Sequence, residues 1–242
     1  MTAVSLVPNA VHVWLARSDD PAIDALVSRY EQLLDQEELT RYRRFRFSRH
    51  RRLFLVAHAL VRTTLSRYAD VSPSSWRFVK NDYGCPFIDD KDCQLRFNLS
   101  HTDGLAACAV ATGRDVGVDV ESLSREVNTD IAGRYFAAAE VQQLVSRPSH
   151  EQSRCFLEFW TLKESYIKAR GRGLSLPLGE FAFELRDDSP PAVQFLGGID
   201  DDPAAWSFRS LEPLEGQLLA VAVRYPPDHV LDLQIEQTIP LT

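Results

Sequence analysis

Cysteine is scarce in this chain. Only Cys85, Cys93, Cys108 and Cys155 occur in 242 residues, with no C-x-x-C pair among them. That argues against a disulfide framework and suits free thiols in a reducing, cytoplasmic compartment. The opening MTAVSLVPNAVHVW has no basic segment followed by a long apolar run, so no signal peptide is expected. No apolar stretch approaches the roughly 18 residues of a membrane span, so no membrane partner is expected. Net positive charge is missing too, and a formal charge of −7 excludes a general coat for polyanions. There is no G-x-S-x-G elbow. Ser100 and His101 are adjacent, which on a strand turns them to opposite sides, so they are not a nucleophile–base pair. No linker rich in Gly, Ser or Pro separates the halves, and no internal repeat is visible.

What is present is an ordinary globular composition, 45% hydrophobic, enough to bury a sizeable core in one large domain or two small ones. Periodicity predicts helices over 19–34, 37–47, 52–68, 131–147 and 151–170. Strands are expected over 11–16, 76–80, 96–99, 181–186, 193–196, 206–211 and 218–225. The runs 105–112 and 116–121, separated by Gly113-Arg114-Asp115, read as a β-hairpin. Helices, a strand pair, helices and strands follow one another in both halves. The expected fold class is therefore α+β, with two similar lobes over 1–114 and 115–242, each a small sheet packed with helices.

The stretch FLEFWTLKESYIKARGRGL, Phe156 to Leu174, holds the most chemistry. Glu164 and Lys168 continue the helical stripe begun by Phe156 and Trp160, and Gly171 and Gly173 end the helix. In GVDVE, Asp119 and Glu121 share one strand face about 7 Å apart, and they read either as a polar outer face or as a site for a divalent cation. Three acids and a lysine that converge would suit a hard cation holding a phosphate. The usual D…E-x-K spacing of metal-dependent nucleases fails, because position 123 is Leu. The run RYRRFRFSRHRR carries seven arginines between Arg41 and Arg52. In an otherwise acidic chain it fits one phosphate-bearing ligand or one acidic protein better than nucleic acid. Tyr83-Gly84-Cys85-Pro86 is a turn that presents backbone amides to a ligand or simply reverses the chain.

Taken together, YGCP at 83–86, FNLSH at 97–101, GVDVE at 117–121 and FWTLKESYIKARGRGLSLPL at 159–178 resemble, in order, the Sfp-type 4′-phosphopantetheinyl transferases. The resemblance implies two α/β lobes related by a pseudo-twofold axis with coenzyme A between them, usually in a monomer. It implies transfer of phosphopantetheine to a serine of an apo acyl or peptidyl carrier protein of fatty-acid, polyketide or nonribosomal peptide synthesis, releasing 3′,5′-ADP. By resemblance, Asp119, Glu121 and Glu164 bind Mg2+ or Mn2+, and Lys168 contacts the phosphates. Glu164, or a metal-bound water it polarises, is the expected base, with Glu140 as a second candidate. His101 matches a pyrophosphate contact, with Asn98 and Ser100 along the same edge, and Arg41 a contact near the 3′-phosphate. Lys80, Gly84, Cys85 and Pro86 belong to the loop passing the adenine and its phosphates. The chain departs from the family where Cys85 replaces the lysine of G-K-P. It departs again where Glu38 and Phe54 stand in place of a basic and a hydroxyl residue of some relatives, for which Arg44 or Arg52 would supply charge.

Overall fold

Ala10–Arg17 forms strand β1 in the computed structural model of the chain, which describes residues 6–7, 9–186, 188–226 and 230–242. A 3-10 turn, Pro21–Leu26, leads to α1 (Val27–Glu31), α2 (Gln36–Arg44) and α3 (Ser48–Tyr68). The single helix expected over 19–34 is broken because Pro21 and the Asp20 side chain, which accepts the Ala22 amide at 2.9 Å, start a tight turn. A capping box starts α2: Asp35 accepts the Glu38 amide at 2.8 Å, and the Glu38 carboxylate accepts the Asp35 amide at 2.9 Å. Glu38 also receives two guanidinium nitrogens of the buried Arg62, at 3.2 and 2.7 Å, and so ties α2 to α3.

Next come β2 (Phe78–Lys80), β3 (Pro86–Ile88), β4 (Leu95–Thr102) and β5 (Leu105–Thr112), then β6 (Val116–Ser122). The 105–121 hairpin is not formed. β5 pairs with β1 and β4, whereas β6 pairs with a later strand in a different sheet. The turn that does reverse the chain is Asp103-Gly104, between β4 and β5, with Gly104 at φ +80°. Beyond β6 lie α4 (Ala132–Tyr135), α5 (Ala138–Ser146) and α6 (Ser149–Ala169). They are followed by β7 (Phe181–Glu184), β8 (Ala192–Phe195), β9 (Ser207–Leu214), β10 (Gln217–Val223) and β11 (Asp232–Gln237).

The sheets run β11-β1-β5-β4 and β6-β10-β9, with two-stranded pairs β2-β3 and β7-β8. The chain divides into two units, an α+β arrangement in each. One holds the chain up to Val79, Pro86–Gly113 and Asp232–Thr242; the other holds Lys80–Cys85 and Arg114–Leu231. A division into 1–114 and 115–242 therefore misplaces the chain's end, because β11 lies parallel to β1, Ala10 opposite Asp232 and Leu15 opposite Gln237. With only Leu233 and Ile235 apolar in DLQIEQ, that edge strand carries a weak signal.

Each unit packs a 21-residue helix on its sheet. Phe54 and Leu60 of α3 share a core with Trp14, Cys108 and Val110. Phe159, Leu162 and Tyr166 of α6 share another with Phe208, Ala220 and Ala222. Small residues let α6 approach its sheet. A Cβ on Gly117 would lie 2.0 Å from the Ser165 carbonyl oxygen and 2.5 Å from the Ala169 amide nitrogen. Gly117→Ala is expected to destabilise the protein by about 3 kcal/mol, the upper part of the usual overpacking cost, because rigid helix backbone has to give way. A urea-unfolding midpoint matching that of wild type would show that α6 moves aside freely.

Candidate active site

The close approach at Gly117 decides what comes next along β6. Alternation puts Gly117, Asp119 and Glu121 on one side of the strand, the side that α6 covers. Asp119 is 6% exposed and meets Lys168, whose Nζ donates to Asp119 Oδ1 at 2.7 Å and to the Val118 carbonyl at 3.3 Å. Glu121 pairs with Arg125 in the turn beyond the strand. One helical turn before Lys168, Glu164 is half-buried near both Asp119 and Lys168. The stripe expected on α6 is thus its open edge: Phe156 stacks on Trp160 at 6.2 Å, and Trp160, Glu164 and Lys168 are half-buried in the part of the helix, from Cys155 on, that is mostly sunk into the core.

The acids lie close enough to shift one another's ionisation. Burial pushes the Glu164 carboxyl above its ordinary pKa, the Asp119 charge adds to the push, and Lys168 opposes it. Glu121 is likewise raised, first by burial, then by Asp119 and Glu164, against Arg125 and Lys168. All the donors are oxygens, which suits Mg2+ or Mn2+, and a divalent cation would relieve the mutual repulsion that raises both glutamates. Among the described residues, no group of three or more His, Cys, Asp or Glu side chains is already gathered as a ligand set. In this conformation Lys168 and Arg125 supply the neighbouring positive charge.

The first unit contains a cavity of about 520 Å³ lined by Arg41, Phe45, Arg49, His50, Leu53, Phe54, His101, Thr102 and Asp103. It brings Arg41 and His101, 60 positions apart, to one wall, over an aromatic floor where the Arg41 guanidinium lies 5.5 Å from the Phe54 ring centre. Behind Phe54, His58 stacks at 3.9 Å, and burial, with the charges of Arg62 and Arg41, lowers its pKa to about 4. It is therefore neutral at physiological pH, and Arg41 and Arg49 place guanidinium groups on the cavity lining.

Residues 115–222 match the family model described as the 4′-phosphopantetheinyl transferase superfamily, and residues 21–113 match that of the 4′-phosphopantetheinyl transferase N-terminal region. The chain is 33% identical over 223 residues to the 4′-phosphopantetheinyl transferase HetI of Nostoc, covering 91% of this chain and 90% of that protein. The chain belongs to the 4′-phosphopantetheinyl transferase superfamily. It is also 28% identical to the transferase Sfp of Bacillus subtilis, over 91% of this chain and 96% of Sfp. Against the transferase gsp of Aneurinibacillus migulanus it is 37% identical over 52% of each chain. As a phosphopantetheinyl transferase, the protein moves the phosphopantetheine group of coenzyme A onto a carrier protein.

Several expected transferase site residues lie elsewhere than the sequence suggested. Asn98 and Ser100 are buried opposite Ala109 and Ala107, on the face of β4 turned away from His101, so they do not share its edge. In the YGCP turn the Gly84 amide donates to the Asn81 carbonyl at 2.9 Å and the Cys85 amide to the Asn81 side chain at 2.9 Å. Both amides are spent inside the loop, so ligand contacts there fall to carbonyls and side chains. Lys80 and Pro86, at the ends of that loop, are exposed, and burial raises the Cys85 thiol above its ordinary pKa. Glu140 is fully buried against Lys163 at 2.8 Å, which removes it from contention as a base. Two residues that carry structure stand outside the candidate set: Asn81 reads in the sequence only as the first residue of a turn, and Lys163 gives no signal of its own.

Proposed function

We propose that this transferase uses Glu164 as the base for the carrier serine and Lys168 as the counter-charge for the pyrophosphate of coenzyme A. The observation that carries this reading is the β6–α6 face, which gathers Asp119, Glu121, Glu164 and Lys168 in a protein of this family. A divalent cation held by Asp119, Glu121 and Glu164, Mg2+ or Mn2+, would supply charge neutralisation at the pyrophosphate. Glu164 takes the serine hydroxyl proton as the serine oxygen bonds to the β-phosphorus. The bond from that phosphorus to the ADP oxygen breaks, and 3′,5′-ADP leaves. The Lys168 ammonium compensates the charge that develops on the transferring and leaving oxygens.

Arg41, with His101 on the same cavity wall, is the proposed anchor for the phosphates of the nucleotide part, and the floor of Phe45 and Phe54 suits an aromatic base. The exposed arginines of α2 and the start of α3, with Phe47 at 56% exposure, are suited to the acidic face of a carrier protein. The four cysteines are free thiols, which supports a reducing, cytoplasmic setting. Among the described residues no helix is long and apolar enough to cross a membrane.

The test is the intact mass of apo acyl and peptidyl carrier proteins after incubation with the protein, coenzyme A and Mg2+, with an EDTA control. A gain of one phosphopantetheine, lost with EDTA, is the expected result and ranks the carriers. A gain that survives EDTA would remove the cation from this reading. Lys168→Ala should weaken coenzyme A binding by about 10-fold or more, given the worth of a charge-assisted contact. An unchanged calorimetric affinity would take Lys168 out of the phosphate site.

A further inference from the structure

Two glycine turns far apart in the chain, Tyr83-Gly84-Cys85-Pro86 and Gly171-x-Gly173, meet at Asn81. The Asn81 carboxamide oxygen accepts the Tyr83 amide at 3.0 Å and the Cys85 amide at 2.9 Å, closing the loop on itself. Its nitrogen, Nδ2, donates to the Gly171 carbonyl at 2.7 Å. Since the oxygen faces two donors and the nitrogen an acceptor, only one orientation of the amide satisfies all three partners. Gly171 is the residue that ends α6, at φ +61°, its own amide donating to the Lys168 carbonyl at 3.0 Å.

The contact leaves little room for a side chain at Gly171. A Cβ at Gly171 would lie 3.2 Å from Asn81 Nδ2 and 3.6 Å from Cys85 Sγ, in a backbone conformation that already favours glycine. The loop therefore rests directly on the end of the helix that carries Glu164 and Lys168. The Tyr83 and Cys85 amides are both engaged by the Asn81 side chain, so it fixes the loop's shape as well as its place.

We propose that Asn81 is a positioning residue for coenzyme A: it locks the Lys80–Cys85 loop to the end of α6, so that loop and Lys168 keep a fixed spacing. This rests on the phosphate role proposed for Lys168 and on the coenzyme A contact that the family resemblance implies for the loop. Two substitutions separate the functions of the carboxamide. Asn81→Asp keeps oxygens for the Tyr83 and Cys85 amides but sets a carboxylate against the Gly171 carbonyl. Asn81→Ala removes every side-chain contact and adds no charge.

The experiment measures steady-state transfer with varied coenzyme A and varied carrier, calorimetric coenzyme A affinity, and the thermal midpoint of each variant. Both substitutions are expected to raise the coenzyme A KM and Kd by about 10-fold, while kcat and the carrier KM stay within about twofold of wild type. Normal coenzyme A affinity in both variants overturns the proposal, as does a lowered thermal midpoint with unchanged kinetics of the folded protein. A rise confined to Asn81→Asp also overturns it, because that assigns the effect to repulsion by the new charge. Failure of the wild-type protein to modify any carrier would instead strike the underlying reading, and the calorimetric comparison of Asn81→Ala with wild type still decides the role of Asn81.

Discussion

Glu164→Gln is expected to cut phosphopantetheine transfer by about 10²- to 10⁴-fold, the usual contribution of a positioned base, and at the same time to raise the thermal midpoint at neutral pH. The two effects have one cause. Glu164 is a half-buried carboxylate whose pKa burial and the Asp119 charge raise above its ordinary value, with Lys168 offsetting only part of the push. A raised native pKa means that the ionised form is less comfortable folded than unfolded. The penalty is fully present above the native pKa and disappears below the ordinary carboxylate range, where both states are protonated. Glutamine keeps the shape without the charge, so the stability gain should be largest near neutral pH, shrink as the pH falls through the raised pKa, and vanish in acid. Added Mg2+ should raise the midpoint of wild type more than that of Glu164→Gln, because the variant lacks one of the three proposed carboxylates. A stabilised protein with lost transfer is the trade-off expected of a site built from clustered like charges. A folded Glu164→Gln protein that turns over at the wild-type rate would remove Glu164 from the chemistry. A variant less stable than wild type at pH 7 would show that Glu164 serves mainly as a structural partner of Lys168.

The residues of this site were legible because their chemistry interrupts a pattern. Glu164 and Lys168 extend an aromatic stripe, and Asp119 and Glu121 alternate with valines on one strand, either as a polar outer face or as a cation site. In the structure that stripe is the half-open edge of α6, and Asp119 is 6% exposed, so the polar-outer-face alternative does not hold for it. Features set by partners distant in sequence were not legible. β5 is apolar and buried almost throughout, and the alternate valines of β6 are buried too, so a three-residue gap made the two look like a hairpin, although Asp103-Gly104 held the stronger turn signal. The helix expected over 131–147 hides a break at Phe136-Ala137, because Ala137 lacks the side chain that usually announces a helix start. Glu140, the second candidate base, lies just past that break. Its Oε2 accepts the Ala137 amide at 2.9 Å, as the third residue of a new helix does.

Lys163→Met is expected to destabilise the protein by about 3–5 kcal/mol, the cost of breaking a buried ion pair from one side. Lys163 and Glu140 are both fully buried, 2.8 Å apart. Lys163 Nζ also donates to the carbonyls of Leu178 at 2.8 Å and Phe181 at 2.6 Å, and lies 4.3 Å from the Phe181 ring centre. Glu140 accepts the amides of Ala137 at 2.9 Å and Phe183 at 2.8 Å. Burial pushes the Glu140 carboxyl up and the Lys163 ammonium down, and each is held charged against that push by the other. One pair therefore joins α5, α6, the Leu178 turn and β7, four segments with no continuous apolar seam in the sequence. Methionine fits the volume but strands a carboxylate and two carbonyls away from water. Urea denaturation of Lys163→Met, Glu140→Gln and the double variant measures the coupling, and the double variant should lose less than the sum of the singles. Strictly additive losses would mean that the two side chains stabilise the fold independently. Because neither group reaches the Asp119 cluster, the folded fraction of Glu140→Gln should keep wild-type transfer; a selective loss of kcat would restore Glu140 as a participant in the chemistry.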